Sequence, residues 1–163
     1  MKTIKNRKTS TGVELVRYLA GKGMRLFNVR DARSAASKVG IRPTYVKEAL
    51  FLLARNGWIT AVKRGLYLVE NAMAGGHPVH EYEIALALVP NGAISHCSAL
   101  HHHGMTEQVP RKVFATTTTK TWVPYVRGGG KKDGYHVGKT HYQYVRVMPK
   151  RFFGHVSVWV GEV

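Results

Sequence analysis

The chain has 163 residues, 25 Lys plus Arg against 9 Asp plus Glu, a formal net charge of +16 and one cysteine, Cys97. The length suits two small domains with a real core, and the charge calls for a polyanionic partner, nucleic acid before an anionic membrane surface. A lone cysteine excludes an intrachain disulfide and fits a reducing, cytoplasmic setting. The longest apolar runs, Ala49–Ala54 and Ile84–Val89, fall far short of the ~20 residues that span a bilayer, and the charged start Met1–Lys8 lacks the apolar stretch of a secretory signal.

In chain order, residues 1–10 read as a loose basic arm. Ser10 or Thr11 is placed to cap a first helix whose apolar side is Val13, Leu15, Val16 and Leu19, and which Gly21-Lys22-Gly23 ends. Asn28 is the expected N-cap of a second helix reaching about Lys38. Val39-Gly40-Ile41 breaks it, because glycine tolerates the left-handed backbone of a sharp helix–helix turn. Pro43 suits a first helical position, so a third helix is expected from Pro43 to about Asn56. Its face Val46, Ala49, Leu50 and Leu53 is core, and Thr44, Lys47, Glu48 and Arg55 lie opposite. Phe51 sits on the outer side, placed to meet the second domain or another subunit.

Gly57 ends that helix. Two β-prone runs follow, Trp58–Val62 and Leu66–Val69, joined by Arg64-Gly65 as a tight turn. Such a hairpin must pack on the helices to be stable, which would hold Lys63 and Arg64 outward. The whole is the pattern of a winged helix-turn-helix, in which the N-terminal residues of the second helix of the pair enter the major groove. The candidate contacts with double-stranded DNA are therefore Arg42, Thr44, Tyr45 and Lys47 for the bases, and Lys63 and Arg64 for phosphates or the minor groove. Residues 1–70 hold fifteen basic and four acidic side chains, and residues 71–163 ten and five. Charge thus concentrates on the DNA-binding candidate, whose affinity should fall steeply with salt.

Gly75-Gly76 before Pro78 marks a domain boundary. The expected domains are residues 1–70, a winged helix-turn-helix, and 77–163, a small α+β domain. In the second, His80–Val89 has a helical pattern and Pro90-Asn91-Gly92 turns the chain. Ala93-Ile94-Ser95 leads into a helix from about Cys97 to His102, capped by Ser95 and stopped by Gly104. Strands are expected at Val113–Thr119, Tyr142–Val147 and His155–Val160, and Gly128–Lys132 reads as a hairpin loop.

Chemistry is sparse. Cys97 and His101 lie one helical turn apart near His96, His102 and His103, but a structural zinc site needs four ligands and no second cysteine exists, so no metal or other cofactor is expected. Metal-dependent phosphodiester cleavage needs grouped carboxylates. Glu81, Glu83, Glu107, Asp133 and Glu162 are scattered, and the glycine triplet lacks a phosphate-loop frame. No catalytic residue is expected. The alternative that stays open is a metal-free nucleic-acid-processing enzyme using His136, His141, Tyr135 and Tyr142.

At Gly57-Trp58-Ile59, Lys63-Arg64-Gly65-Leu66-Tyr67, Ser98-Ala99-Leu100-His101-His102-His103-Gly104 and Glu107-Gln108-Val109-Pro110, the chain resembles the AbiEi-type antitoxins of bacterial abortive-infection, type IV toxin–antitoxin systems, from about Phe27 onward. The resemblance implies a winged-helix domain that binds the operon's own promoter and represses it. It also implies a second domain that opposes a nucleotidyltransferase toxin without a stable complex. It assigns no chemistry to the Ser98-Ala99-Leu100 or Gln108-Val109-Pro110 motifs, which read as structural. Family members usually continue through an acidic segment and further helices, whereas this chain stops at Val163, as a natural short form or as a fragment. If those helices carry the antitoxin activity, this chain would repress without neutralising.

Overall fold

A computed structural model describes residues 3–70, 79–120 and 134–158. The chain is α+β, with five α-helices and two sheets among the described residues, and it divides into two compact units, Met1–Val79 and His80–Val163.

In the first unit, helix α1 spans Thr3–Gly21, so it begins well before Ser10 and Thr11, and the expected loose arm is helical from Thr3. Leu15, Val16 and Leu19 are buried and hold the packed turns. Once these exist, each added residue needs only propagation and not a new nucleus. Nothing from Thr3 to Thr11 is glycine or proline. Gly12 is buried mid-helix, facing the Leu53 side chain, which a Cβ at this position would meet at an ordinary contact distance of 3.4 Å.

Strand β1 (Leu26–Asn28) leads directly into α2 (Val29–Ala36). Asn28 caps α2 as expected. Its Oδ1 accepts from the Arg30 and Asp31 N–H groups at 2.7 and 3.1 Å, and Asp31 Oδ2 accepts from the Asn28 N–H at 2.8 Å. A 3-10 turn, Ser37–Val39, follows, and Gly40 takes φ +75°, where a side chain would be strained. The Ile41 N–H then reaches back to the Ala36 carbonyl at 2.9 Å, closing the turn. Helix α3 (Val46–Arg55) buries Val46, Leu50 and Leu53, with Ala49 half-buried and Phe51 66% exposed. Strands β2 (Ile59–Lys63) and β3 (Leu66–Val69) form the expected hairpin. β1, unforeseen, adds to it antiparallel, giving the order β1-β3-β2. Phe27, Ile59 and Val69 of the sheet join the core of α1, α2 and α3.

The second unit comprises α4 (Glu81–Leu88), β4 (Gly92–Ile94), α5 (His96–His102), β5 (Val113–Thr117), β6 (Tyr135–Val137) and β7 (Thr140–Arg146). The sheet order is β4-β5-β7-β6, with β5 and β7 parallel and the other neighbours antiparallel. His80 caps α4, its Nδ1 accepting from the Tyr82 N–H at 3.1 Å. Ser95 occupies the N-cap position of α5 but does not cap with its side chain. Its hydroxyl is engaged by Thr116 Oγ1 and His96 Nδ1, both at 2.8 Å. Buried Ser98 fastens α5 to the sheet: its Oγ accepts from the Phe114 N–H at 2.9 Å, and its carbonyl accepts from the Tyr82 hydroxyl at 3.0 Å. Within the Ser98-Ala99-Leu100 motif it is thus Ser98 that joins helix to sheet, by hydrogen bonds, while Leu100 is exposed.

His155–Val158 forms no strand. Alternation alone does not make one, since a strand also needs a neighbour to satisfy its backbone, and Val156 and Val158 stay exposed. The Gly75-Gly76 boundary, the Gly128–Lys132 loop and Trp159-Val160 lie outside the described residues.

Replacing Asn28 by Ala removes two accepted bonds at the start of α2. The expected cost is about 1 kcal/mol, read as a lower urea midpoint with unchanged m-value. An unchanged midpoint would show that the cap contributes nothing.

Candidate nucleic-acid interface

The turn at Gly40 delivers an extended Arg42 (ψ 135°), the conformation that a following proline favours. Pro43–Tyr45 then forms a 3-10 turn, and the α-helix proper starts at Val46. The first turn of the expected Pro43–Asn56 helix is therefore tighter than an α-turn, and of the four candidate base-contacting residues only Lys47 lies on the α-helix. A short tight turn is common at a helix N-terminus, and here it follows Pro43, which has no N–H to give the helix. Arg42, Thr44 and Lys47 are exposed, and Tyr45 is 49% exposed.

Arg42 and Tyr45 line one cleft of about 220 Å³ together with Gly40, Glu48 and Leu52 and with Gly12 of α1. Thr44 and Lys47 lie outside its lining. Glu48 places a carboxylate in the first turn of α3, where the helix dipole favours it. That carboxylate also gives the cleft mixed polarity between a guanidinium and a phenol.

Lys63 and Arg64 are set by other contacts. The β2–β3 loop is Arg64-Gly65, with Gly65 at φ +80° and Lys63 opposite Leu66. A register shift between Ala61 and Lys63 marks a bulge, which turns Val62 into the core and leaves Lys63 half-buried. Removal from water pushes its ammonium pKa below the usual lysine value. The expectation of two outward cations is thus corrected to one exposed guanidinium, Arg64, beside a partly sheltered Lys63. The Gly65 carbonyl accepts from the Val29 N–H at 3.1 Å, so the turn is tied to the start of α2. That tie adds exposed Arg30, the next residue, to the basic groups near the turn. Its charge was visible in the sequence, but its placement required knowledge of β1.

In the second unit, Cys97 is exposed, His101 is half-buried, and His102 packs edge-on against Tyr82. Among the described residues, no three His, Cys, Asp or Glu side chains gather as a metal site would require. The fold brings the four residues of the enzyme alternative onto one hairpin but splits them between its two faces, since successive strand residues point to opposite sides. They are cross-strand neighbours on the β6–β7 hairpin, Tyr135 opposite Tyr142 and His136 opposite His141. The imidazoles stack at 4.2 Å with 13° between planes.

Both phenols hold their protons more tightly than a free tyrosine does. Burial pushes Tyr142 up to about 12, with a hydrogen bond from Thr140 opposing and the Glu81 charge adding to the rise. Burial raises Tyr135 too. Tyr144, raised by burial and by its two tyrosine neighbours, donates its hydroxyl to the Ala85 carbonyl at 2.6 Å.

A phenol whose pKa is higher when folded holds its proton more tightly in the native state. The associated stability is present below the unfolded value of 10.0 and is lost as pH rises through about 12. Alkaline titration followed by near-ultraviolet phenolate absorbance and circular dichroism should show unfolding over that interval. Tyr142→Phe should flatten the pH dependence there, and an identical profile would remove Tyr142 as its source.

No family model and no curated protein matches the sequence.

Proposed function

We propose that residues 1–70 act as a winged helix-turn-helix that binds double-stranded DNA at the operon's own promoter and represses it. The observation that carries this reading is the α2–Gly40–α3 pair. It exposes Arg42, Thr44, Tyr45 and Lys47 at the leading end of α3, within the half of the chain that holds fifteen of its 25 basic residues. In this reading Lys47 and Thr44 face base edges, Arg42 and Tyr45 guide the helix into the groove, and Arg64, with Lys63 behind it, meets phosphate. The second unit serves as the antitoxin-like part, opposing a nucleotidyltransferase toxin without a stable complex and without catalysis of its own. The setting is the cytoplasm; among the described residues no helix is long and apolar enough to cross a membrane.

Gel-shift titrations on the promoter and on scrambled duplexes test the DNA assignment. Arg64→Glu should weaken all duplexes alike and lower the salt slope by about 1. Lys47→Ala or Thr44→Ala should cost about 1–3 kcal/mol on the promoter and little on scrambled DNA. Uniform losses from all three variants would remove α3 as the reading element.

Co-expression with the neighbouring gene tests the antitoxin role. The expected outcome is that the neighbour alone stops growth and this chain restores it. Persistent toxicity would leave a repressor only.

The enzyme alternative keeps one observation in its favour, the stacked His136–His141 pair. Turnover of labelled DNA or RNA by the pure protein, abolished by His136→Ala or His141→Ala, would establish it in place of the antitoxin reading.

A further inference from the structure

Residues 134–158 contain no Asp or Glu and carry Lys139, Arg146, Lys150 and Arg151. The last three lie close together in the chain, at the end of β7 and on the 3-10 turn Pro149–Arg151, and all three are exposed. The turn is built rather than loose. The Val147 N–H binds the Thr117 carbonyl at the end of β5 at 2.9 Å, and the Arg151 and Phe152 N–H groups return to Met148 and Pro149 at 2.8 and 3.0 Å.

Aromatic rings follow immediately. Phe152 and His155 pack ring against ring at 4.5 Å with 33° between planes, and Phe153 is 80% exposed. Gly154, at φ +72°, reverses the chain between them.

We infer that this surface, Arg146 to His155, binds single-stranded nucleic acid. Arg146, Lys150 and Arg151 would track the phosphates, while Phe153 and the Phe152–His155 pair stack on bases. A cationic track beside open aromatic faces is the combination that holds single strands without sequence preference. In a duplex each base plane is covered by its neighbours, which leaves Phe153 nothing to stack on. A single strand presents both faces of every base. The site lies within the second unit, and the inference stands or falls independently of the DNA-binding reading of residues 1–70.

The test is fluorescence anisotropy of the full chain with labelled oligothymidine and oligouridine of about twelve nucleotides, a duplex of equal length, and unlabelled polyglutamate as competitor. Binding to the single strands is expected, with DNA and RNA arms showing whether the sugar matters. Phe153→Ala, at an exposed position whose loss leaves the core intact, should weaken single-strand binding about tenfold and leave duplex binding unchanged. The double variant Lys150→Gln, Arg151→Gln should reduce the single-strand salt slope by about 1 to 1.5. The inference is overturned by absence of single-strand binding, by a Phe153→Ala protein that binds as wild type, by equal losses on duplex, or by polyglutamate competing as well as unlabelled oligonucleotide.

Discussion

Three residues, Leu26–Asn28, hold the first unit together. A two-stranded hairpin is marginal in water, and β2–β3 would have only its inward face to keep it on the helices. β1 supplies a third strand along β3, from Leu26 opposite Leu68 to Asn28 opposite Leu66. It also brings Phe27 into the common core, stacked on Tyr67 at 5.8 Å. Backbone bonds bracket this short strand, Val69 N–H to the Arg25 carbonyl before it and Val29 N–H to the Gly65 carbonyl after it. Asn28 then ends the strand and caps α2 in the same step. The position of the basic turn relative to the start of α2 follows from this chain of bonds.

What sequence reasoning could see was punctuation and periodicity. Gly40 and Gly57 end helices because left-handed backbone was needed there, Asn28 caps because its side chain can reach two orphan donors, and Leu15, Val16 and Leu19 are buried because they share a helical face. What it could not see were features set by a distant neighbour. β1 has only three residues and too little length for a period; it is a strand because β3 offers it an edge. β6, equally short, exists through β7. The inward turn of Val62 and the half-burial of Lys63 come from a bulge that composition does not announce. Conversely, Val156 and Val158 have the alternation of a strand and no described partner. Arg42, Thr44, Tyr45 and Lys47 were legible as exposed residues at a helix start, but not the 3-10 geometry that moves Thr44 and Tyr45 off the α-helix.

The two units handle polar groups in different ways. The first satisfies most of its turns with backbone bonds and caps on the surface. The second buries hydroxyls as fasteners. Ser98 joins α5 to β5, Thr117 donates to the Pro90 carbonyl at 3.1 Å, and Tyr144 joins β7 to α4. Each such hydroxyl costs desolvation that only a well-placed partner offsets, so the relative positions of helix and strand are specified by donors and acceptors as well as by apolar fit.

The parallel pairing of β5 with β7 bears on the order in which the protein assembles. An antiparallel neighbour can be reached by a two-residue turn, whereas a parallel one requires a longer connection; between β5 and β7 the chain has residues 118–139, β6 among them. β6 and β7 can pair locally, through Gly138-Lys139, before β5 is joined. The described strands of the first unit are all present once Val69 is made. Closure of the second waits for Arg146, near the far end of the chain, and long-range closure is slow because loop entropy is spent before contacts return it. During synthesis the strands of the first unit can therefore pair while the sheet of the second is still open.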